Sequence, residues 1–397
     1  MKIELSNTIK NIPENVFYPI FKLISEESSN GNPLLNAGIG VPDSDTPELL
    51  LKELETAIRK PENMRYGAFD GKVTLLNEIS QWLKEKYNID ADPKDEIALV
   101  FGTKSGLSSI PSVLLNPNDT VLLPVPSYPD YIQGIALAQA KYEEIELKQE
   151  NNYLVDYSDI PEKSVKDAKL IFLNYPSNPI GAVATKEFYE ETVSWARQHN
   201  IVVLQDHAYS DFYYKDGYSP AFMQTTGAKE VGVEFFSFSK NFSISGLRIG
   251  FAVGNKEIIR GLKEYNTIFH ANIYGAAQDV VITALKNHKH LTSHIKETYS
   301  KRIDKITAKL DELGYSYFKP EGGIFIWLGV KNGYDSQSFF ELLLKKYRIV
   351  TMPGHVFGQG GENYIRLSLS LSDEQIDILI KKLEIIVNTA KRRRRSC

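Results

Sequence analysis

The chain has 397 residues, of which 42% are hydrophobic and 24% are charged, a globular composition long enough for two or three domains. Its formal net charge of -4 gives no electrostatic reason to expect nucleic acid as a partner, although residues 391–395 form a short basic run. No apolar run approaches the length of a membrane span. The one cysteine, Cys397, rules out an intrachain disulfide and suits a reducing compartment. The sequence therefore predicts a cytoplasmic protein without membrane or nucleic-acid partners.

The first two thirds of the chain begin with short elements and continue into alternating strands and helices. Before residue 90 we predict helices at 14–27 and 47–59, a turn-rich segment at 36–43, a loop at 64–71 and an amphipathic helix from Val73. Apolar runs of strand length then occur at 97–101, 120–124, 170–174, 201–205, 232–238 and 249–253. Helix-like stretches separate most of them, at 104–115, 128–139 and 186–198.

Fully apolar strands that alternate with helices are typical of an α/β fold, with a mostly parallel sheet covered by helices on both faces. From about residue 280 the pattern changes to that of a smaller α+β domain. Its predicted helices are at 276–288, 293–313, 336–346 and 373–390, and its strands at 323–329 and 364–369. We predict a large domain over 46–285 and a small domain formed by residues 1–45 together with 286–397.

Residues 236–250 connect two buried strands and contain one lysine and one arginine, Lys240 and Arg248. Partial burial disfavours the charged form of a lysine and makes its amine a better nucleophile. The arginine and the neighbouring serines, Ser237 and Ser239, suit a phosphate. An amine beside a phosphate site is the pairing that pyridoxal 5'-phosphate requires. Alternatively, the lysine lies at a strand edge and the arginine forms a surface ion pair.

Three loops follow predicted strands, and in a doubly wound sheet such loops carry the ligands. Residues 99–106 join a strand to a helix start that would direct backbone N–H groups at an anion. In residues 126–131, Tyr128 either stacks on a flat ring or fills the core beneath the loop. The loop 174–181 is fixed by two prolines and presents Asn178, whose amide suits a phenolate oxygen.

Two charged residues end or interrupt apolar strands. Asp206 would either hold a pyridine nitrogen protonated or cap a helix. Arg366 would either bind a substrate carboxylate through both arms of its guanidinium group or form a structural ion pair.

Other motifs are excluded. Residues 102–106 do not form a Walker A loop, and the first strand is not followed by a dinucleotide-binding glycine motif. The histidines His288, His290 and His294 lack the glutamate of a metalloprotease helix. We therefore predict no metal site.

Taken together, these motifs resemble the class I/II pyridoxal phosphate-dependent aminotransferases of fold type I, from about residue 36 to 370. The order and spacing of the motifs carry the resemblance, which rests on Tyr66, Gly102, Thr103, Lys104, Tyr128, Asn178, Asp206, Tyr209, Ser237, Ser239, Lys240, Arg248 and Arg366. Residues 173–184 and 227–232 are similar to the LL-diaminopimelate aminotransferase branch.

The resemblance implies a role for each residue. Lys240 would hold the cofactor covalently and shuttle a proton. Asp206 would pair with the pyridine nitrogen, Asn178 and Tyr209 would contact the 3′-oxygen, and Tyr128 would stack on the ring. The phosphate would be surrounded by Thr103, Lys104, Ser237, Ser239 and Arg248.

The resemblance also implies a homodimer with shared active sites. Tyr66 would reach the phosphate of the neighbouring subunit, and residues 269–274 would lie near the interface. Gly40, Asn178 and Arg366 would bind the substrate. The expected reaction moves an amino group from an L-amino acid to a 2-oxo acid, with diaminopimelate, N-acyl-diaminopimelate or aspartate and 2-oxoglutarate as candidate substrates.

Two alternatives to amino-group transfer remain open from the sequence. A β-elimination lyase acting on sulfur amino acids would use the same scaffold and cofactor, and it would release pyruvate and ammonia. A non-catalytic DNA-binding regulator would need a further domain, for which roughly the first 35 residues leave little room. Ile180, Leu247 and Ser105 differ from the usual family residues, so the substrate remains open.

Overall fold

The computed structural model describes residues 1, 3–29, 31, 33–331 and 333–395. Its helices are α1 Asn7–Asn11, α2 Tyr18–Ser28, α3 Glu48–Ala57, α4 Val73–Tyr87, α5 Thr103–Leu114, α6 Tyr131–Leu137, α7 Glu162–Asp167, α8 Lys186–His199, α9 Ala228–Val231, α10 Phe238–Asn241, α11 Lys256–Phe269, α12 Gly275–Lys286, α13 His288–Glu312, α14 Ser336–Tyr347 and α15 Asp373–Arg395. Its strands are β1 Leu35–Asn36, β2 Ile97–Val100, β3 Thr120–Val125, β4 Lys141–Glu146, β5 Ala168–Asn174, β6 Val202–His207, β7 Gly232–Ser237, β8 Gly250–Gly254, β9 Tyr317–Phe318, β10 Phe325–Gly329, β11 Ile349–Val350, β12 Met352–Pro353 and β13 Tyr364–Ser368. Cys397 lies outside the described residues.

A seven-stranded sheet forms the centre of the molecule, in the order β2-β8-β7-β6-β5-β3-β4. The pairs from β7 across to β4 are parallel, whereas β8 runs antiparallel to both β2 and β7. This arrangement confirms the predicted mostly parallel sheet.

Successive residues of the central strands belong to different cores. In β5, Leu170 and Phe172 pack into one hydrophobic cluster, whereas Ile171 and Leu173 pack into another. Because side chains alternate between the two faces of a strand, the two clusters lie on opposite faces of the sheet. The central strands are mostly apolar because both faces are covered, and polar residues such as Gln205, Asp206 and Glu234 are exceptions.

The sequence pattern does not predict strand β4, helix α11 or the short helices α7, α9 and α10 of the large sheet region. Strand β4 has the sequence Lys-Tyr-Glu-Glu-Ile-Glu and is mostly exposed, since it lies at the sheet edge. Charged side chains on an edge strand oppose pairing with another chain, and they also remove the apolar signal of a strand. Helix α11 begins after Asn255, whose side chain accepts hydrogen bonds from the backbone N–H groups of Glu257 and Ile258.

The predicted helices and strands are present in the structure, but several of them begin or end at other residues than predicted. Helix α2 begins at Tyr18 rather than residue 14, with a proline in its first turn. Helix α6 begins at Tyr131 rather than residue 128, just beyond Pro129. Helix α13 begins at His288, five residues before the predicted start, and α15 continues to Arg395 through the basic run.

A smaller antiparallel sheet has the order β12-β13-β10-β9, and β1 pairs with β11 in parallel. Residues near the N-terminus are thereby attached to the C-terminal third of the chain. The domain limits at residues 45 and 285 remain a prediction. In the described ranges, no helix combines the length and the apolar character needed to cross a membrane.

Three neighbouring strands bring polar side chains together. Asn174 at the end of β5 is in register with Asp206 of β6. His207, the next residue of β6, is in register with Phe236, which precedes Ser237 at the end of β7. Because these strands are parallel, their carboxyl ends meet at one edge of the sheet, where ligands bind in open α/β sheets.

Candidate active site

A cavity of about 410 Å³ lies at this edge of the sheet. Its size is within the range of roughly 300–1,000 Å³ that is common for small-molecule sites. The predicted site residues that line it are Gly40, Thr103, Lys104, Tyr128, Asn178, Asp206, Tyr209, Ser237, Ser239, Lys240, Arg248 and Arg366. Tyr66 does not line the cavity, and its side chain is 93% exposed.

Lys240 lies in the short helix α10, directly after β7. The Ser237 hydroxyl caps this helix by accepting a hydrogen bond from the Ser239 backbone N–H, at 3.2 Å. The Lys240 ammonium donates to the Gly40 carbonyl oxygen, at 2.8 Å. Burial, reinforced by the charges of Arg366 and Arg248, lowers the pKa of Lys240 to about 8, against an opposing effect of Asp206. A substantial fraction of this amine is therefore neutral near pH 8, as a nucleophile requires.

Asp206 is buried at the end of β6. Its Oδ2 accepts a hydrogen bond from the Tyr131 hydroxyl at 2.7 Å, and its Oδ1 accepts one from the Ala208 backbone N–H at 3.1 Å. Burial raises the pKa of the Asp206 carboxyl to about 6, and these hydrogen bonds only partly oppose the rise. Among the described residues, a turn and not a helix follows the end of β6 at His207, so Asp206 does not cap a helix and that alternative is wrong. A cation placed beside this carboxylate would be strongly favoured.

Hydroxyl, backbone and guanidinium donors line the cavity together with Lys240 and form a cradle of hydrogen-bond donors. Gly102 precedes the twelve-residue helix α5 with a φ of 77°, a conformation that favours glycine. A Cβ atom at Gly102 would lie 2.7 Å from a guanidinium nitrogen of Arg248, so the absence of a side chain leaves room for that group. The N-terminus of α5, the Ser237 and Ser239 hydroxyls and the Arg248 guanidinium match the needs of a phosphate.

Lys104 differs from the other residues assigned to the phosphate. Its ammonium forms an ion pair with the buried Asp130 carboxylate, at 2.7 Å. Asp130 also accepts a weak hydrogen bond from the Asn15 side chain, at 3.4 Å.

Aromatic rings line another part of the cavity. The ring of Tyr128 packs edge-on against Tyr131, with 5.6 Å between the ring centroids. Burial raises the pKa of the Tyr128 and Tyr209 hydroxyls, so both remain protonated donors at neutral pH. The Tyr209 ring packs edge-on against Phe325, at a centroid distance of 5.6 Å.

Arg366 comes from β13 of the smaller sheet and is buried. Its guanidinium donates to Asn178 Oδ1 at 2.7 Å and to the Gly38 carbonyl at 2.8 Å. Burial lowers its pKa to about 10. Its Nε atom has no hydrogen-bond partner, and no carboxylate of the described residues pairs with it. A buried cation without a carboxylate is costly, so a ligand carboxylate fits here.

Comparisons with known proteins identify the family of this chain. The family model described as aminotransferase class I and II matches residues 32–383. This chain belongs to that family. It is an aminotransferase.

Individual relatives cover nearly the whole chain. It is 38% identical over 377 residues to the L-glutamine–4-(methylsulfanyl)-2-oxobutanoate aminotransferase of Bacillus subtilis (strain 168), covering 95% of this chain and 94% of the relative. It is 35% identical over 373 residues to the LL-diaminopimelate aminotransferase of Aquifex aeolicus (strain VF5), and the match covers 94% of this chain and 96% of that relative. The structure of an aminotransferase from Staphylococcus aureus matches with a TM-score of 0.91 and 35% identity, covering 97% of this chain and 99% of that one. The expected family and fold are therefore confirmed.

Several residues of this aminotransferase site were not singled out in the sequence. Tyr131 and Asp130 lie in the same loop motif as Tyr128, but only the folded chain brings them to Asp206 and Lys104. Asn174 supports Asn178, because its side-chain oxygen accepts a hydrogen bond from the Asn178 backbone N–H at 2.8 Å.

Phe17 and Phe21 line the cavity from helix α2 and the residue before it, more than a hundred residues away from Tyr128. No local motif in the sequence marks them. Among the described residues, no group of three or more His, Cys, Asp or Glu side chains could hold a metal ion.

Proposed function

We propose that this aminotransferase holds pyridoxal 5'-phosphate covalently on Lys240 and moves an amino group from an L-amino acid to a 2-oxo acid. The observation that carries the proposal is the position of the Lys240 amine in one cavity with the buried Asp206 carboxylate and with Arg248 and Arg366. This chemistry needs an amine and an anion that pairs with the ring nitrogen. It also needs two guanidinium groups, one for the cofactor phosphate and one for the substrate carboxylate.

The residues present fit the cofactor. Asp206 would pair with its ring nitrogen, and Tyr128 would stack on the ring. The cradle of helix α5, Ser237, Ser239, Thr103 and Arg248 would hold the phosphate, and Tyr209 and Asn178 would donate to the 3′-oxygen. The bound cofactor supplies an electron sink for the charge that develops at the substrate Cα.

Protein groups would perform the remaining steps. Lys240 would take the proton from the substrate Cα and later give it up again, because its lowered pKa lets the amine accept and release a proton near neutrality. Arg366 would fix the α-carboxylate and so orient the Cα–H bond toward Lys240.

We further propose a homodimer that shares its active sites. A group of exposed apolar side chains lies in the segment around Tyr66 and in residues 268–274; it comprises Met64, Tyr66, Phe69, Val73, Ile268, Phe269 and Tyr274. Exposed apolar residues in such number favour burial against another surface. In a dimer of this kind, Tyr66 would reach the phosphate of the neighbouring subunit. The cytoplasmic location remains a prediction.

The substrates are tested with a panel of amino donors and 2-oxo acid acceptors, because the names of the relatives differ in substrate. We expect the purified protein to form new amino acids only when a 2-oxo acid is supplied. Release of pyruvate and ammonia from sulfur amino acids without an acceptor would instead support the lyase. The relatives cited above are named as aminotransferases, so we do not propose that alternative.

Replacing Arg366 with Lys tests the carboxylate site. The variant keeps the charge but loses the two-armed guanidinium geometry, so we expect kcat/KM for every α-amino acid to fall roughly 100-fold, about 2.7 kcal/mol of transition-state stabilisation. The visible absorbance of the bound cofactor should remain. Steady-state kinetics and absorbance spectra measure both effects. The exposed Arg260→Lys is the matched control, and equal losses in both variants would contradict the assignment.

A further inference from the structure

One wall of the cavity is apolar and partly exposed. Phe17, Phe21, Ile39 and Val41 line it, and Phe21 and Ile39 are 50% and 46% exposed although they face a cavity. Exposed apolar surface of this kind gains free energy when a ligand covers it, by roughly 25 cal/mol per Å².

This wall adjoins the carboxylate site. The centroid of the Phe17 ring lies 6.2 Å from that of Phe21 and 6.0 Å from that of Phe357. The Arg366 guanidinium in turn lies over the Phe357 ring, with 5.0 Å between the guanidinium carbon and the ring centroid. A substrate with its α-carboxylate on Arg366 would therefore have an apolar surface available for its side chain.

Within one subunit, the described charged residues that line the cavity leave no free partner for a charged side chain. The proposed function engages Lys240, Arg248 and Arg366 with the amine, the phosphate and the α-carboxylate, and Asp206 with the ring nitrogen. The remaining charged residues that line the cavity, Lys104 and Asp130, neutralise each other at 2.7 Å. A second carboxylate that approached Lys104 would compete with Asp130, whose buried side chain would then share its cation.

We propose that this aminotransferase selects amino acids and 2-oxo acids with uncharged, largely apolar side chains. Phe17, Phe21, Ile39 and Val41 form the side-chain wall, and Asp130 determines specificity by holding Lys104 in an ion pair. This inference rests on the proposed function and names its substrate class. It disfavours the three amino donors expected from the resemblance, aspartate, diaminopimelate and N-acyl-diaminopimelate, because each carries a second carboxylate, and it disfavours 2-oxoglutarate as acceptor for the same reason.

The first test compares kcat/KM for leucine, methionine and phenylalanine with that for aspartate, glutamate and diaminopimelate, each with an apolar 2-oxo acid as acceptor. We expect the apolar group to exceed the charged group by at least about 100-fold, since burying an unpaired charge costs several kcal/mol. Transfer that proceeds at least as well with the charged group would overturn the inference while leaving the transaminase function intact.

Two variants test the assigned residues. In Asp130→Asn, Lys104 loses its partner, and the ratio of kcat/KM for aspartate to that for leucine should rise about tenfold or more. In Phe21→Ala, the ratio for phenylalanine to alanine should fall about tenfold. Tyr18→Ala is the matched control, because Tyr18 is exposed in the same helix but does not line the cavity. Unchanged ratios in both test variants would remove the assignment of the wall and of Asp130.

A binding measurement separates the inference from the proposed function. Thermal shift of the purified holoenzyme with 3-phenylpropanoate and with succinate requires no turnover. Stabilisation by the first at concentrations at least tenfold lower supports the apolar wall, and the reverse order refutes it. Absence of transfer with every amino acid would refute the proposed function, and the two ligands would still decide the character of the pocket.

Discussion

Replacing Lys240 with Ala should remove both the visible absorbance of the purified protein and its aminotransferase activity. The Lys240 amine lies in the cavity with its pKa lowered to about 8, so it is ready both to hold the cofactor and to move a proton. Loss of a general base alone costs roughly 10²- to 10⁴-fold in rate, and loss of the covalent attachment adds to this. We therefore expect activity below about 0.01% of the unsubstituted enzyme.

The measurements are absorbance after dialysis, single-turnover transfer, and mass spectrometry after borohydride reduction. In the unsubstituted protein the reduced cofactor should be attached to the peptide that contains Lys240. Lys289→Ala is the matched control, because Lys289 is exposed on helix α13. A Lys240→Ala protein that stays yellow and active would exclude the proposed mechanism.

The sequence predicted the sheet edge that carries the site because buried parallel strands have a strong signal. The apolar runs that end near Asn174, Asp206 and Ser237 could be located from composition alone, and their parallel arrangement places their ends together. Strand β4 was not predicted because its exposed, charged side chains do not form an apolar run. Helix α11 carries a helical signal, since Ile258, Ile259 and Leu262 are buried on one face, although the prediction above contains no element there.

Contacts between distant segments could not be predicted. Tyr131 donates to Asp206 across 75 residues of sequence, and Asn178 meets Arg366 across 188. The sequence placed Lys104 at the phosphate, but whether its ammonium pairs with Asp130 depends on how the loop before α6 folds. Local patterns indicate where a residue lies along a strand or loop, whereas the partner of a long side chain depends on the tertiary structure.

Replacing Asp206 with Asn should reduce activity and cofactor affinity but stabilise the protein without its cofactor. An amide cannot hold the ring nitrogen protonated, so we expect kcat to fall at least roughly 10³-fold, as for the loss of a preorganised charge. In the cofactor-free protein, burial raises the pKa of Asp206 from 3.8 to about 6. A raised carboxyl pKa gives stability that is complete below pH 3.8 and is lost as the pH rises through about 6. At pH 7.5 the charged carboxylate therefore destabilises the cofactor-free fold by up to about 3 kcal/mol. The substitution to Asn would remove this destabilisation. The disturbed hydrogen bond from Tyr131 would offset about 1 kcal/mol of the gain in stability.

The sign of this effect distinguishes Asp206 from another buried aspartate of the same chain. Asp211 forms an ion pair with the buried Lys86, so Asp211→Asn would leave a cation without its partner and destabilise the fold by about 3–5 kcal/mol. Denaturant unfolding of the two cofactor-free variants at pH 7.5 and pH 5 should thus give opposite changes, with the gain from Asp206→Asn smaller at pH 5. If Asp206→Asn destabilised the cofactor-free protein as Asp211→Asn does, its carboxylate would have a stabilising partner within the protein. Asp206 would then not be available to pair with a cationic ring nitrogen.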